Sequence, residues 1–209
     1  MKTFVLNGWA AGEAAWSLCR FHRDRIFSYI EQLDGEVDRA MESTKEPVTL
    51  VGWSMGGSMA LKVLLDHPDR IANLVLLAAT PRMMEDKSTG WKGMSPRRLE
   101  AFELGLKLTR GDGFFPRPEG RPNPYMIDTD SNLRRGLDYL LETDLRSDLA
   151  ELKDLPPRVA LFHAAHDGIV RPENLDYLKS IFPHAASTVV PGCEHALPIE
   201  IPQLIDEAV

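Results

Sequence analysis

Ser54 lies in the segment Gly52-Trp53-Ser54-Met55-Gly56-Gly57, between an apolar run at 48–52 and a helical pattern at 58–66. The run predicts a buried strand, so the serine falls at a strand-to-helix turn. A sharp turn of this kind pushes the hydroxyl above the sheet, and the flanking glycines avoid collisions with the neighbouring strand and helix. The segment therefore predicts a nucleophilic serine, and the alternative is an ordinary turn with a capping serine.

A serine nucleophile needs a base, and the base needs an orienting acid. Of the six histidines, His195 is the one that follows the last predicted strand in a loop, and Asp167 directly follows the strand predicted at 158–163. The carboxyl ends of parallel strands meet at one edge of a sheet, so both loops are expected near Ser54. The rival acids Asp144 and Asp148 come before that strand. The alternative for His195 and Asp167 is that they are ordinary surface residues.

An oxyanion formed at Ser54 would need two backbone donors. The N–H of Met55 is the first, because it follows the nucleophile and opens the helix. The second is expected from the loop after the first strand, where Gly8 lets the backbone turn close to a substrate and Trp9 supplies the N–H. The side chain of Trp9 could support this loop while its N–H serves as the donor.

Six short apolar runs predict the strands that position these residues. They alternate with helical patterns at 35–45, after Ser54 and at 173–182. Strands that are apolar throughout and separated by helices are typical of an α/β fold with a mostly parallel sheet covered on both faces. The predicted strands span residues 3–7, 25–30, 48–52, 71–79, 158–163 and 187–190.

Residues 82–145 interrupt this alternation. A helix is expected at 95–108, with Leu99, Phe102 and Leu106 on one face, and a second at 132–141. Between them, residues 111–124 contain four prolines and three glycines and predict a loop. We therefore predict a core at 1–81 and 146–209, with a small helical lid at 82–145 inserted after the fourth strand.

Composition excludes several other classes of protein. The chain of 209 residues has a net charge of -7, which argues against a generic nucleic-acid binder. No apolar run approaches the roughly 20 residues of a membrane span, and the N-terminal run ends too early for a signal peptide. Cys19 and Cys193 do not make a disulfide framework, so a cytoplasmic location is expected.

These residues resemble the α/β-hydrolase fold and, within it, the biotin-synthesis carboxylesterases that demethylate pimeloyl-acyl carrier protein methyl ester. The likeness covers nearly the whole chain. It lies in Asn7-Gly8-Trp9, in the segment around Ser54, in the Asp-Leu-Arg stretch at 144–146, in 167–170 and in His195-Ala196. The family usually has His where this chain has Asn7, starts two strands earlier and has a larger lid.

The resemblance implies a serine esterase that needs neither a metal nor an organic cofactor. Ser54, His195 and Asp167 would form an acyl-enzyme, with Trp9 and Met55 as oxyanion donors and Trp53 as a wall of the acyl site. Two alternatives stay open. One is a promiscuous small-ester or lactone hydrolase, and the other is a catalytically idle ligand-binding module, against which the intact triad argues.

The partner implied by the resemblance is an acyl carrier protein, which is strongly acidic. Residues 82–135 hold eleven Lys or Arg and eight Asp or Glu, a sum of +3, whereas the rest of the chain sums to -10. Such a basic lid could attract an acidic carrier, although it could equally be a solvated surface. The expected contacts are Arg97, Arg98, Arg134 and Arg135.

Overall fold

Six parallel strands form the single sheet of the computed structural model, which describes residues 1–109, 120, 123–126 and 128–209. The sheet order is β2-β1-β3-β4-β5-β6. The strand bounds are β1 Thr3–Leu6, β2 Arg25–Phe27, β3 Val48–Trp53, β4 Ile71–Leu77, β5 Arg158–Ala164 and β6 Ala186–Val190.

The four central strands β1, β3, β4 and β5 are largely buried because both faces of the sheet are covered there, whereas the edge strand β6 is mostly exposed. Alternate side chains of a strand point to opposite faces, so Leu50 packs into one apolar cluster and Val51 into the other. The first cluster includes Leu61 of the helix after Ser54, and the second includes Ile205 near the C-terminus. The α/β class and the parallel sheet predicted from the sequence are confirmed.

Helices connect the strands and cover them. In the described part of the chain they are α1 Tyr29–Leu33, α2 Glu36–Ser43, α3 Met55–Asp66, α4 Pro96–Thr109, α5 Asp130–Glu142, α6 Arg146–Ala150, α7 Asn174–Ile181, α8 Leu197–Glu200 and α9 Pro202–Ala208. Two short 3₁₀ turns, Glu13–Trp16 and Pro68–Arg70, complete the elements. None of the helices in these described ranges is long and apolar enough to cross a membrane.

The second strand is shorter than predicted. The apolar run at 25–30 ends as a strand at Phe27, because Ser28 begins helix α1 with a capping box. Its side chain accepts a hydrogen bond from the Glu31 N–H, and the Glu31 carboxylate accepts one from the Ser28 N–H. This reciprocal pair satisfies two of the free donors at the start of a helix.

The described part of the predicted lid contains two helices, α4 and α5, together with the segments that flank them. Leu99 and Leu106 of α4 are buried, as their spacing predicted, and Phe102 is partly buried against the same cluster. The ends of the lid meet where Arg82 pairs with Asp144 in an isolated antiparallel bridge. Most of the loop predicted at 111–124 lies outside the described residues.

Candidate active site

The turn that carries Ser54 lies at the switch point of the sheet. The chain runs from β1 to β2 on one side of β1 and then crosses to β3 on the other side of β1. The loops that follow β1 and β3 therefore leave the sheet in opposite directions. Ser54 has a φ of 56° and a ψ of -121°, a conformation that costs free energy for a non-glycine residue. Its N–H donates to the Leu77 carbonyl of β4 at 2.9 Å, which fixes the turn to the sheet.

Glycines make this turn possible by allowing close packing. A Cβ on Gly52 would lie 2.5 Å from the Gly56 carbonyl oxygen, and a Cβ on Gly56 would lie 2.5 Å from the carbonyl carbon of Leu6. Both contacts are with backbone, so no side-chain rotation could relieve them. The two glycines therefore let α3 start directly against β1 and β3.

The structure brings the three predicted side chains together in one hydrogen-bonded chain. His195 Nε2 lies 2.7 Å from Ser54 Oγ, and His195 Nδ1 lies 2.8 Å from Asp167 Oδ2. All three residues are buried. Asp167 follows β5 and His195 follows β6, so both reach Ser54 from the carboxyl edge of the sheet.

The Asp167 carboxylate is held in its charged form. Its Oδ1 accepts hydrogen bonds from the N–H groups of Ile169 and Val170, at 2.8 and 2.9 Å. Burial acts to raise the pKa of this carboxyl, but the charge and hydrogen bond of His195 and the Ile169 N–H outweigh it, so the pKa lies below its usual range. An ionised Asp167 can orient the imidazole and stabilise its protonated form.

His163, a buried residue of β5, lies close to this carboxylate. Its Nε2 is 3.0 Å from the Val170 carbonyl oxygen and 3.9 Å from Asp167 Oδ2. Burial lowers the pKa of His163 and so favours its neutral form. A neutral His163 supports the acid loop through the Val170 carbonyl oxygen, and Asp167 is left as the hydrogen-bonding partner of His195.

Trp53 and Glu200 hold the loop that carries His195. The Trp53 indole N–H donates to the His195 carbonyl oxygen at 2.8 Å, and the Glu200 carboxylate accepts from the Glu194 N–H at 2.9 Å. Trp53 is also one wall of the cavity next to Ser54. No pattern in the sequence predicts the bond from Trp53 to His195, because the two residues are 142 positions apart.

The two predicted oxyanion donors lie next to the nucleophile. Met55 opens α3, and Trp9 follows Gly8, at which a Cβ would be 3.2 Å from the Ser54 Cβ. In the part of the chain that the structure describes, neither the Met55 N–H nor the Trp9 N–H donates to a protein acceptor. Both donors are therefore available to a ligand at Ser54.

A narrow apolar cavity of about 20 Å³ adjoins Ser54 and His195. Trp9, Trp53 and Leu140 are among its walls, and Leu99 and Phe102 of α4 form its lid side. A wider groove of about 400 Å³ leads outward past His195 and is lined in part by Arg98, His166 and Glu194. A small apolar group fits the inner cavity, and a larger polar one fits the groove.

The four lid arginines are all exposed, but they have different neighbours. Arg98 donates to the Gly168 carbonyl oxygen at 2.7 Å, and Arg134 pairs with Asp138 at 2.8 Å. Arg135 pairs with Asp34 at 2.5 Å. The Arg97 side chain has neither an ion pair nor a hydrogen-bonding partner among the described residues.

Gly136 is a site residue that the sequence reasoning missed. It lies inside α5, and a Cβ there would be 2.5 Å from Nε1 of Trp9. The available signal was a glycine within an amphipathic helix, where glycine costs about 1 kcal/mol relative to alanine.

Within the described ranges, no group of three His, Cys, Asp or Glu side chains could hold a metal ion.

Residues 11–208 match the alpha/beta hydrolase family, so the chain belongs to that family. Among curated proteins it is similar to the pimeloyl-[acyl-carrier protein] methyl ester esterases. The enzyme of Aeromonas hydrophila is 27% identical, over 98% of this chain and 92% of its own. That of Nitrosomonas europaea is 26% identical over 95% and 90%. The match to the enzyme of Nitrosospira multiformis, at 27%, covers 76% of this chain and 65% of that protein.

Solved structures agree on the fold. An esterase from Exiguobacterium antarcticum superposes with a TM-score of 0.78 at 18% identity, covering 99% of this chain and 90% of its own. The enol-lactonase of Burkholderia xenovorans has a TM-score of 0.73 at 18% identity, with 99% and 88% covered. The resemblance stated from the sequence motifs is thus confirmed.

Proposed function

We propose that this protein is a serine carboxylesterase that works through an acyl-enzyme. The observation that carries the proposal is the hydrogen-bonded chain from Asp167 through His195 to Ser54 Oγ, at 2.8 and 2.7 Å, beside an apolar cavity. The three residues follow different strands and meet at one edge of the sheet. The esterase names of the curated relatives support the same reaction class.

In the proposed reaction Ser54 Oγ attacks the ester carbonyl while His195 Nε2 takes its proton. Asp167 accepts the hydrogen bond of Nδ1–H and stabilises the imidazolium. The N–H groups of Met55 and Trp9 hold the oxyanion, and each such donor is worth about 10²–10³ in rate. The alcohol leaves with a proton from His195, and water then hydrolyses the acyl-enzyme with His195 as the base.

The specific substrate that we propose is the methyl ester of pimeloyl-acyl carrier protein. The curated relatives are named for this substrate. In this proposal Trp53 walls the acyl site and the lid arginines Arg97, Arg98, Arg134 and Arg135 contact the acidic carrier. Residues 82–135 sum to +3 and the rest of the chain to -10, so a carrier would be drawn to this part of the lid.

One observation favours the second candidate, a hydrolase of small esters or lactones without a carrier. Arg98, Arg134 and Arg135 already bond to groups of this chain. A carrier would have to compete with these bonds or share them. The two candidates use the same catalytic residues and differ in whether the lid surface contributes to the rate.

The proposed function is tested with Ser54→Ala on a p-nitrophenyl ester and on the carrier-linked methyl ester. We expect the variant to fold normally and retain less than about 1% of activity on both, because nothing replaces the nucleophile. Ser58→Ala, one turn along α3, is the matched control and should stay active. A Ser54→Ala variant with more than a few per cent of wild-type activity would overturn the proposal.

Complementation of a biotin auxotroph that lacks this esterase separates the two substrates. Growth that depends on Ser54 supports the carrier-linked ester. Hydrolysis of p-nitrophenyl esters without complementation supports the small-ester candidate. A folded protein with an intact Ser54, Asp167 and His195 that hydrolyses neither would be the idle ligand-binding module.

A further inference from the structure

The indole ring of Trp9 is held by both lid helices. Its Nε1–H donates to the Leu133 carbonyl oxygen of α5 at 3.1 Å. On the other side the ring stacks on Phe102 of α4, with centroids 5.6 Å apart and an interplanar angle of 26°. The backbone of Trp9 therefore belongs to the loop beside Ser54, while its ring packs between the two lid helices.

Gly136 lets α5 approach this ring. A Cβ at position 136 would lie 2.5 Å from Trp9 Nε1 and 3.2 Å from Tyr29 Cε2. The indole is rigid and buried between two helices, so it could not turn away as a flexible side chain would. The glycine thus fixes how deeply α5 sits against the loop that carries Trp9.

The backbone of the same loop is also paired with the lid region. The Gly12 N–H donates to the Pro124 carbonyl oxygen, and the Met126 N–H donates to that of Ala10, both at 2.9 Å. Ala10 itself has a φ of 55°, which is a strained value for alanine. Such a conformation persists only where its surroundings enforce it, and here the enforcing contacts come from residues 124–126.

We propose that Trp9 links the lid to the oxyanion hole: α4 and α5 set the position of the indole, and the indole sets the position of the Trp9 N–H at Ser54. Gly136 and Phe102 are then positioning residues for the reaction. This inference rests on the proposed esterase mechanism. Because the oxyanion forms in the transition state, a displaced donor lowers kcat and leaves KM largely unchanged.

The test is Gly136→Ala, assayed on a p-nitrophenyl ester and with an alkyl boronic acid. Boronic acids add to the serine and place an oxygen where the oxyanion forms. We expect kcat to fall at least tenfold with KM within twofold, and boronic acid affinity to fall by a similar factor. Ser131→Ala, exposed on the same helix, should leave all three values unchanged.

A double-mutant cycle separates this role from a general effect on α5. Trp9→Ala removes the ring, so adding Gly136→Ala to it should change kcat less than twofold. Equal losses from Gly136→Ala in both backgrounds would overturn the inference, as would a folded Gly136→Ala variant with wild-type kcat and boronic acid affinity. If Gly136→Ala does not fold, the inference is tested with Trp9→Phe, which loses the hydrogen bond to Leu133. We again expect kcat to fall at least tenfold with KM within twofold, and an unchanged kcat would overturn the inference.

The proposed function and this inference can fail separately. A wild-type protein without Ser54-dependent hydrolysis would overturn the esterase proposal and the inference together. Normal wild-type hydrolysis with unaffected Gly136→Ala and Trp9→Phe variants would overturn the inference alone.

Discussion

Asp167 shows at the scale of a single residue how the fold keeps a buried carboxylate charged. Its carboxylate is buried, yet it accepts two backbone N–H bonds and one from His195. These contacts keep its pKa below the usual range for a carboxyl, so it stays ionised at neutral pH. The activity should therefore not depend on protonation of Asp167 near neutral pH.

We expect Asp167→Asn to lower kcat/KM by about 10⁴ while the protein stays folded, because the amide can neither stabilise the imidazolium nor fix its tautomer. Combined with Ser54→Ala, it should cost almost nothing more, since the three residues act as a unit. The measurement is steady-state kinetics of the single and double variants. His166→Ala, the exposed neighbour, is the control. A greater loss in His166→Ala than in His195→Ala would show that the base is misassigned.

At this scale the sequence predicted the three reactive side chains and the two oxyanion donors as neighbours, and the structure places them together. Chain order and loop position were enough, because each follows a strand of a parallel sheet. The roles of Gly136 and of the Trp53 indole were not predictable, since they depend on contacts between residues 127 and 142 positions apart. Such contacts leave no periodic pattern in the sequence.

At the scale of elements, the lid is tied to the core by a cluster of charges at its base. Arg146 Nη2 lies 2.8 Å from Asp144 and 2.9 Å from Asp86, and Arg82 also pairs with Asp144. The Arg146 guanidinium lies over the Trp91 ring, 5.1 Å from its centroid. Hydrogen bonds from Arg146 and then Arg82 hold the pKa of Asp144 at about 2.

Asp144→Asn should lower the free energy of unfolding by about 1 kcal/mol at pH 7, a figure reduced for partial exposure. The folded pKa is below the unfolded value, so this contribution is complete above about pH 4. It is lost as the pH falls towards the folded value of about 2. Urea unfolding at several pH values checks this. A difference in the free energy of unfolding between wild type and Asp144→Asn that stays constant with pH would contradict the prediction. The control is Asp148→Asn, on the exposed side of α6.

The strands and long helices were predictable because their apolar residues follow regular spacing. The end of the second strand was not, since Ser28 and Glu31 form a capping box inside the apolar run and start a helix there. The sequence also did not predict the charged cluster at the base of the lid, which consists of Arg82, Asp86, Asp144 and Arg146. The Asp-Leu-Arg stretch marked its position, but its partners come from the other end of the lid.

For the molecule as a whole, the basic stretch at 82–135 on an acidic body distinguishes the two substrate proposals. Changing Arg97, Arg98, Arg134 and Arg135 to alanine should lower kcat/KM on the carrier-linked ester about tenfold or more, if together they supply at least ~1.4 kcal/mol. On a p-nitrophenyl ester the variant should stay near wild type. Raising the salt concentration should weaken the wild type on the carrier ester and barely affect the variant.

Equal losses on both esters would show lid damage instead, which is a real alternative because Arg98 and Arg135 hold the lid to the core. Arg97→Ala alone is the control for this, since that side chain makes no such bond in the described part of the chain. No loss on either ester would favour the small-ester hydrolase.

The order of the strands has a consequence for how activity arises during synthesis. From β3 onward each new strand pairs with the one before it, so the sheet extends outward as the chain leaves the ribosome. Ser54 and its strained turn lie on the inner strand and emerge early, whereas Asp167 and His195 follow β5 and β6 and emerge last. Under the proposed function, Ser54 of a partly synthesised chain therefore lacks its base and its acid. We expect hydrolysis only after β6 has docked and brought His195 to Ser54.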